Sequence, residues 1–347
     1  MTSKEITLVM PGLRRFAMPG YRELSASAGR LTALELLIAR ARKNKTTYHN
    51  LDTTLGGLFD LPVDTVTPLP AAALAHSLQY ETSPDRWYMH CDPVVIQPNR
   101  DHLMLLGNDM LDYSEQEAEQ IISDINTTYH DQPWQIKMLS PRHWVMEMPE
   151  APAINTHAIN SVVGRKINDF LPYGEEAKPW HALMNELQML LHSHPVNQSR
   201  TMSGMAAANS VWFWGEGVLP KLTGEATSPR WVQCWSQHTS TLALARLKSI
   251  PRIDLPDNAE VWLEQAITSG QHLVVIDSLD APVVTMDPVA WWQVLWQLNE
   301  QWFAPLLAAL RGNGALAKIT LLSADGWSYE LTPALAKRWW KRVKTLA

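Results

Sequence analysis

Five residues in the C-terminal half have side chains of the types that bind divalent metal ions. They are two histidines and three aspartates: His238, His272, Asp277, Asp280 and Asp325. Imidazole nitrogens and carboxylate oxygens suit ions such as Zn²⁺ and Mn²⁺ when several ligands converge. Lone carboxylates that follow strands are more typical of turn caps. We therefore expect no metal, and name these five as the ligands of Mn or Zn if one binds.

A second pair of histidines, His192 and His194, closes a predicted helix over residues 180–194. Side chains two positions apart do not face each other on a helix, so a shared metal would require the helix to end there. A capping or hydrogen-bonding role is the interpretation we favour.

The C-terminal region combines basic and aromatic side chains. Thr332-Pro333 is typical of a helix start. Five cations then surround Trp339-Trp340: Lys337, Arg338, Lys341, Arg342 and Lys344. Such a helix would suit nucleic acid or an acidic partner. A solvated face is the more common explanation of a charge run.

Tryptophan is abundant, with 16 in the chain, and 12 of these follow residue 200. Residues 288–310 predict a helix that is apolar almost all round. Such a helix is either core or an interface, because large exposed apolar patches mark interaction sites. We expect a protein partner to bind through this Trp-rich C-terminal half.

Composition limits the class of protein. The 347 residues are 46% hydrophobic and 18% charged, which is typical of a packed globular protein of one large or two smaller domains. The net charge of −6 makes nucleic acid an unlikely partner. The two cysteines, Cys91 and Cys234, indicate a reducing compartment. No apolar run approaches a membrane span. We expect a cytoplasmic protein that does not use a membrane.

Periodicity predicts strands alternating with helices, which indicates an α/β fold. Residues 6–10, 273–277 and 319–322 predict buried strands, and residues 31–43 predict a helix. Within 87–150, strands flank a helix that begins at Ser114, whose capping box uses Glu117. We expect residues 87–150 to form a small inserted α+β lobe. The core is then discontinuous, made of residues 1–86 and 151–347.

The run from Ala208 to Gly217, Ala-Asn-Ser-Val-Trp-Phe-Trp-Gly-Glu-Gly, is the most distinctive segment. Alternating valine and aromatics predict a strand. The two glycines favour a sharp turn directly after it. Core packing is the interpretation we favour over a ligand crevice, because aromatic side chains bury large areas.

Motifs in a shared order resemble a known family. They are Cys91-Asp92-Pro93-Val94, Asp112-Tyr113-Ser114, Arg142-His143, Leu171-Pro172-Tyr173-Gly174, His194-Pro195-Val196-Asn197 with Arg200, and the 208–217 run. Over residues 87–220 the chain resembles archaeal-type, cofactor-independent phosphoglycerate mutases of the alkaline-phosphatase superfamily. Within that family it more closely resembles a bacterial branch described as regulation-of-pathogenicity-factor E type. The resemblance implies an α/β core with a mostly parallel sheet, helices on both faces and an inserted α+β lobe.

The resemblance also implies a Ser or Thr nucleophile and two divalent metals held by Asp and His, which this sequence lacks in the expected places. The nucleophile motif aligns with Ala71-Ala72-Ala73, and the first strand ends in Met10-Pro11-Gly12 where the family has Asp-Gly. No histidine follows His272. We therefore expect no catalytic residue and a non-catalytic, regulatory or scaffold protein.

Two alternatives stay open. One is a metal-dependent phosphomutase or phosphatase with rearranged ligands. The other is a sensor of a small phosphorylated acid in the cleft between lobe and core, since arginine forks suit phosphate and carboxylate. The ligand-binding residues that the resemblance implies are Arg142, Arg200, Asn197, Asn209 and His90, with His90 standing where the family has arginine.

Overall fold

The computed structural model of the protein describes residues 4–14, 29–61, 68–100, 102–221, 230–266, 268–312 and 314–343. The chain divides into two compact units. The first comprises Met1–Pro68 and Leu222–Ala347, and the second is Leu69–Lys221. The expected lobe, 87–150, lies within the second unit.

The strands, in chain order, are β1 Lys4–Val9, β2 Arg42–Lys45, β3 Trp87–Asn99, β4 His102–Gly107, β5 Gln135–Ser140, β6 His143–Met148, β7 Ser210–Val218, β8 Gln233–Trp235, β9 Arg252–Ile253, β10 Gly270–Val275, β11 Leu316–Leu322 and β12 Trp327–Leu331. The helices are α1 Thr32–Arg40, α2 Leu51–Leu58, α3 Ala71–Gln79, α4 Glu115–Thr128, α5 Ala177–Ser193, α6 Pro195–Met202, α7 Thr239–Leu247, α8 Ala259–Gln265, α9 Asp280–Val284, α10 Pro288–Leu298, α11 Ala304–Arg311 and α12 Pro333–Ala336.

The first unit is built on a seven-stranded sheet in the order β2-β12-β11-β1-β10-β8-β9. β11, β1, β10, β8 and β9 are mutually parallel, and β12 is antiparallel to β11 and β2. Side chains alternate along β1, so Ile6 and Leu8 join one buried cluster while Val9 is buried on the opposite face. The expected mostly parallel α/β core is confirmed.

Tryptophans of the C-terminal half form much of that cluster. Five of them belong to it: Trp235, Trp262, Trp291, Trp292 and Trp302. The apolar helix predicted over 288–310 is therefore core, and a π-helical turn, Asn299–Phe303, joins α10 to α11. Trp296, Trp339 and Trp340 are exposed. The protein partner expected through this half stays a prediction.

The second unit is built on a five-stranded antiparallel sheet. Four of its strands follow the order β4-β3-β6-β5. The fifth strand, β7, lies off this path and pairs with β3. The helix α4 begins with the predicted capping box of Ser114 and Glu117. Its buried residues Ile121 and Ile125 pack into the unit's core with Trp144 and Phe213.

Three local expectations are wrong. The helix predicted over 31–43 ends at Arg40, and the next residues form β2, whose Lys43 lies 3.7 Å from the ring centre of Trp327. The C-terminal helix ends at Ala336, before the basic and aromatic residues. The third correction is β7, which continues through Gly215-Glu216-Gly217 to Val218. A Cβ on Gly217 would lie 2.6 Å from that of Pro70, so the glycines permit close packing instead of ending the strand.

Candidate functional site

The most concentrated polar cluster of the second unit surrounds Asp92 in the middle of β3. Its side chain is fully buried. Oδ1 accepts a hydrogen bond from the backbone N–H of Trp144 at 2.9 Å, and Oδ2 accepts one from Nε1 of Trp214 at 2.9 Å. Nδ1 of His143 lies 3.2 Å from Oδ2. The carboxylate thus links three strands, β3, β6 and β7.

The electrostatics of this cluster favour a charged pair. Burial by itself would raise the pKa of Asp92, but the nearby His90 and the hydrogen bond from His143 hold it well below its usual range. Burial opposes the charged form of His143, yet its hydrogen bond to Asp92 prevails and raises the pKa of His143. The charged form of each of the two groups is therefore favoured by the other.

His90 occupies the inner side of the cluster. Its ring stacks on Trp214, with 4.3 Å between centres and 13° between planes, and Nδ1 lies 3.7 Å from Oδ1 of Asp92. A Cβ on Gly215 would lie 3.3 Å from the His90 ring and 3.0 Å from Ala71 Cβ. The start of α3 thus lies beside His90, and it offers methyl groups where a nucleophile would need oxygen.

Arg200 and Asn197 form a separate cluster on α6. Arg200 is buried, and its guanidinium donates to Glu117 at 3.1 Å, to Asp112 and to the carbonyl of Ala206 at 2.7 Å. Its charge centre lies 4.4 Å from the ring centre of Tyr113. These contacts support a structural role, and ligand binding by Arg200 stays a prediction.

Tyr113 connects the two predicted residues. Its hydroxyl donates to Oδ1 of Asn197 at 2.5 Å and accepts from the backbone N–H of Ala208 at 2.7 Å. Nδ2 of Asn197 donates to the carbonyls of Leu191 and Ala208. The amide of Asn197 is therefore satisfied within the fold.

Asn209 also has an architectural environment. Its side-chain amide forms two 2.8 Å hydrogen bonds with the backbone N–H and carbonyl of Ile96, and so extends the pairing of β7 with β3. Trp212, in the same strand, is buried and donates from Nε1 to the carbonyl of His157 at 2.8 Å. The interpretation of this run as framework agrees with these contacts.

Arg142 is the exposed member of the predicted set, with 44% of its side chain accessible. Nη1 donates to the carbonyl of Asp109 at 3.2 Å and lies 3.6 Å from its carboxylate. The neighbouring residue is His143, whose imidazole reaches Asp92. Arg142 and His143 thus place a guanidinium beside an imidazole where β6 begins.

His194 confirms its predicted capping role. Nδ1 accepts from the backbone N–H of Val196 at the start of α6, and Nε2 lies 3.0 Å from the carboxylate of Asp124. Both ring nitrogens are engaged by the fold, which leaves neither for a metal.

The five candidate metal ligands lie in the first unit. His272 is fully buried; Nε2 donates to the carbonyl of Thr268 at 2.8 Å, and Nδ1 lies 3.4 Å from Nε1 of Trp235. His238 caps α7 by accepting from the backbone N–H of Thr241. Burial lowers the pKa of His238, with Asp277 opposing the shift.

A cavity of about 390 Å³ lies at the carboxyl edge of the parallel sheet. Its polar lining includes Arg14, His49, Asn50, Asp280 and Asp325. Nη1 of Arg14 lies 3.3 Å from Oδ2 of Asp325, whose Oδ1 accepts from the hydroxyl of Ser323. Ligands of α/β proteins bind at this edge. Here a guanidinium provides the positive charge.

The two metal ions that the mutase resemblance implies do not fit these residues. Within the ranges that the structure describes, no three His, Cys, Asp or Glu side chains are placed to hold one ion. Both ring nitrogens of His272 form hydrogen bonds, with Thr268 and Trp235, and Asp325 forms an ion pair with Arg14. The five candidates do not converge into one donor set.

Several residues of these clusters were not among the predicted site residues, above all Asp92, Trp214 and Arg14. A signal for Asp92 was present, because an aspartate inside an apolar strand segment is rarely buried without partners. Arg14 and Asp325 are 311 positions apart, and no local pattern relates them.

Comparison with known proteins finds a family similar to part of the second unit. The family described as 2,3-bisphosphoglycerate-independent phosphoglycerate mutase matches residues 71–197, which include Asp92, His143 and Asn197. Residues 71–197 are thus similar to this mutase family. The match begins at the first residue of α3 and ends within α6, so it covers most of the second unit.

Curated relatives match a shorter stretch. The 2,3-bisphosphoglycerate-independent phosphoglycerate mutase of Methanosarcina barkeri is 39% identical over 64 residues, which are 18% of this chain and 16% of the relative. The probable mutase of Geobacter sulfurreducens is 38% identical over 63 residues, with the same two shares. The match thus spans about one sixth of the length of these relatives.

A solved structure shares the fold over nearly the whole chain. The PH0037 protein from Pyrococcus horikoshii has a TM-score of 0.61 at 13% identity, covering 96% of this chain and 88% of that chain. The cofactor-independent phosphoglycerate mutase from Thermoplasma acidophilum has a TM-score of 0.49 at 16% identity, covering 95% and 90%. The likeness to the PH0037 protein, with the parallel sheet described above, confirms the expected α/β fold with a mostly parallel sheet.

None of the helices in the described ranges combines the length and apolar character needed to cross a bilayer.

Proposed function

We propose that this protein is a non-catalytic relative of the phosphoglycerate mutases that acts as a regulatory or scaffold protein, as the bacterial branch it resembles suggests. The observation that carries the proposal is the Arg14–Asp325 ion pair at the carboxyl edge of the sheet. A guanidinium cannot activate a nucleophile as a metal does, since it accepts no lone pair.

The start of α3 supports the same proposal. Ala72 and Ala73 are buried and pack with Tyr88 and Val145. Methyl groups cannot attack phosphorus, and this position aligns with the nucleophile of the mutases. The retained cluster around Asp92 then serves the fold of the second unit.

The experiment is a mutase assay of the purified full chain with 3-phosphoglycerate, with and without Mn²⁺ or Zn²⁺. We expect no 2-phosphoglycerate above the uncatalysed background. Metal-dependent conversion at enzymatic rates would contradict the proposal and support a phosphomutase or phosphatase with rearranged ligands.

One observation favours a second candidate, a sensor of a small phosphorylated acid. Arg142 is accessible, its neighbour His143 has a raised pKa, and both lie at the start of β6. A guanidinium beside an imidazole whose charged form is favoured suits a phosphate or carboxylate. Thermal-shift measurements with 3-phosphoglycerate would show stabilisation that Arg142→Ala removes. The control is Arg165→Ala, which removes another exposed arginine of the second unit. If 3-phosphoglycerate does not raise the Tm of the wild type, this candidate is wrong.

A further inference from the structure

Two adjacent indoles stand out from the first unit just after α12. Trp339 is 81% exposed and Trp340 is 62% exposed, in a chain that buries most of its other tryptophans. Their rings meet edge to face, with centres 6.1 Å apart and planes at 85°. Water contact with so much aromatic surface is unfavourable, so an exposed pair of this kind marks an interaction site.

The backbone presents this pair in a defined shape. Leu335 and Ala336 are buried in the core of the first unit. The following residues form turns, in which the N–H of Arg338 donates to the carbonyl of Leu335 and that of Lys341 to the carbonyl of Arg338. The indoles are thus held beside a packed anchor.

Four cations surround the indoles. Lys337, Lys341 and Arg342 are exposed and Arg338 is half-buried. None of the ion pairs of the described residues includes any of the four. No Asp or Glu follows Glu330, although the whole chain has a net charge of −6. We call the segment Lys337 to Arg342 the basic tryptophan segment.

Contrary to the expectation from the sequence that the protein uses no membrane, we propose that the basic tryptophan segment binds the surface of an anionic phospholipid membrane peripherally, without crossing it. Tryptophan, lysine and arginine are the residue types that concentrate at the headgroup level of bilayers. Each cation near an anionic leaflet adds attraction, and the indoles add contact with the interfacial region. Charge and aromatic surface thus supply the two signals that stable peripheral binding needs.

Other occupants fit the segment less well. Lysine is depleted in the cores of protein–protein interfaces, whereas it contributes half of these cations. Single-stranded nucleic acid stacks successive bases on aromatic faces, and two rings at 85° do not form such a run. A membrane surface requires neither a shaped pocket nor parallel rings. This inference does not depend on the regulatory function proposed above.

The test is co-sedimentation of the full chain with vesicles of phosphatidylcholine alone and of phosphatidylcholine with one third phosphatidylglycerol. We expect binding to the anionic vesicles only, weakened by high salt because ions screen the attraction. Lys341→Gln/Arg342→Gln lowers the partition coefficient roughly 30-fold, because each cation contributes about fivefold. Lys166→Gln/Lys178→Gln, which removes two exposed cations of the second unit, leaves it unchanged.

A double variant, Trp339→Ser/Trp340→Ser, separates indole contact from charge. We expect the variant to bind anionic vesicles more weakly than the wild type. We also expect brominated acyl chains to quench the tryptophan fluorescence of the wild type, and this quenching to be lost in the variant. The proposal is overturned if the wild type stays in the supernatant with anionic vesicles. It is also overturned if Lys341→Gln/Arg342→Gln and Trp339→Ser/Trp340→Ser both bind these vesicles as well as the wild type does. Two other outcomes would also overturn it. One is binding of single-stranded RNA in a filter assay without binding of vesicles. The other is dimerisation, seen by light scattering, that depends on the two tryptophans and occurs without binding of vesicles.

Discussion

The guanidinium of Arg14 lies 3.3 Å from the carboxylate of Asp325, where the parallel neighbours β1 and β11 end at the same edge of the sheet. In an α/β fold this edge is where ligands and ions bind. The protein has filled part of it with its own cation. Asp325, which would otherwise be a candidate metal ligand, is thereby neutralised within the chain.

The first prediction concerns that ion pair. Arg14→Gln removes the cation without supplying a ligand, so we expect no Mn²⁺-dependent rise in Tm for the wild type or the variant. Because both side chains are partly exposed, the loss in stability should stay below about 1 kcal/mol. A Tm that rises with Mn²⁺ in Arg14→Gln, and not in Arg14→Gln/Asp325→Asn, would contradict this account.

The second prediction concerns Asp92. Asp92→Asn removes a buried carboxylate that accepts hydrogen bonds from three donors. We therefore expect the free energy of unfolding to fall by about 2–4 kcal/mol. Urea unfolding followed by circular dichroism measures it. Asp85→Asn breaks an exposed pair with Lys221 and is the matched control, with an expected change below about 1 kcal/mol. Equal effects of the two substitutions would mean that the buried network adds no stability.

The third prediction concerns protonation of His143. Its pKa is raised, so its pairing with Asp92 is fully present below the unfolded pKa of about 6.5 and is lost as pH rises through the folded value. Proton NMR of the His143 ring should show titration above the unfolded value of about 6.5. In Asp92→Asn the shift should disappear. If the pKa of His143 is the same in Asp92→Asn as in the wild type, the pairing with Asp92 is not the cause of the shift.

The fourth prediction concerns His76, which is fully buried, stacks on Tyr80 and packs at a tilt against Tyr88. Burial, followed by the charge of Lys137, lowers the pKa of His76 to about 4. Its neutral form is the stable one, so acid disfavours the native state between pH 6.5 and about 4, by up to roughly 3 kcal/mol.

His76→Phe keeps the ring and removes the titration. The slope of unfolding free energy against pH should become shallower in this window than in wild type. An identical acid slope in wild type and His76→Phe would refute the assignment.

The fifth prediction concerns the glycines of β7. Gly217→Ala would place a methyl group 2.6 Å from Pro70 at a φ of +148°, so we expect a loss of more than about 2 kcal/mol. Gly164 also has positive φ but no neighbour within 4 Å, and Gly164→Ala should cost only about 1 kcal/mol. Thermal unfolding compares the two. Similar losses would mean that backbone strain alone, and not the approach of Pro70, requires glycine in β7.

Much of the architecture follows from local pattern. Apolar runs predicted the buried strands β1 and β10, the Ser114 capping box predicted the start of α4, and motifs in shared order predicted the resemblance to the mutases. Each of these signals depends on residues close in sequence, where period and capping chemistry apply. The boundaries failed where a distant partner decides, as at Lys43, which becomes a strand residue beside Trp327.

The sequence by itself determined the α/β class, the resemblance of residues 87–220 to the mutases and the alanines at the start of α3. Only the tertiary structure decided which polar groups meet. His272 lost its availability to a metal because Trp235 and Thr268 engage its nitrogens, and Asp92 became a buried anion because β6 and β7 bring donors to β3. Such contacts depend on where strands far apart in the chain are paired, and sequence spacing does not encode that distance.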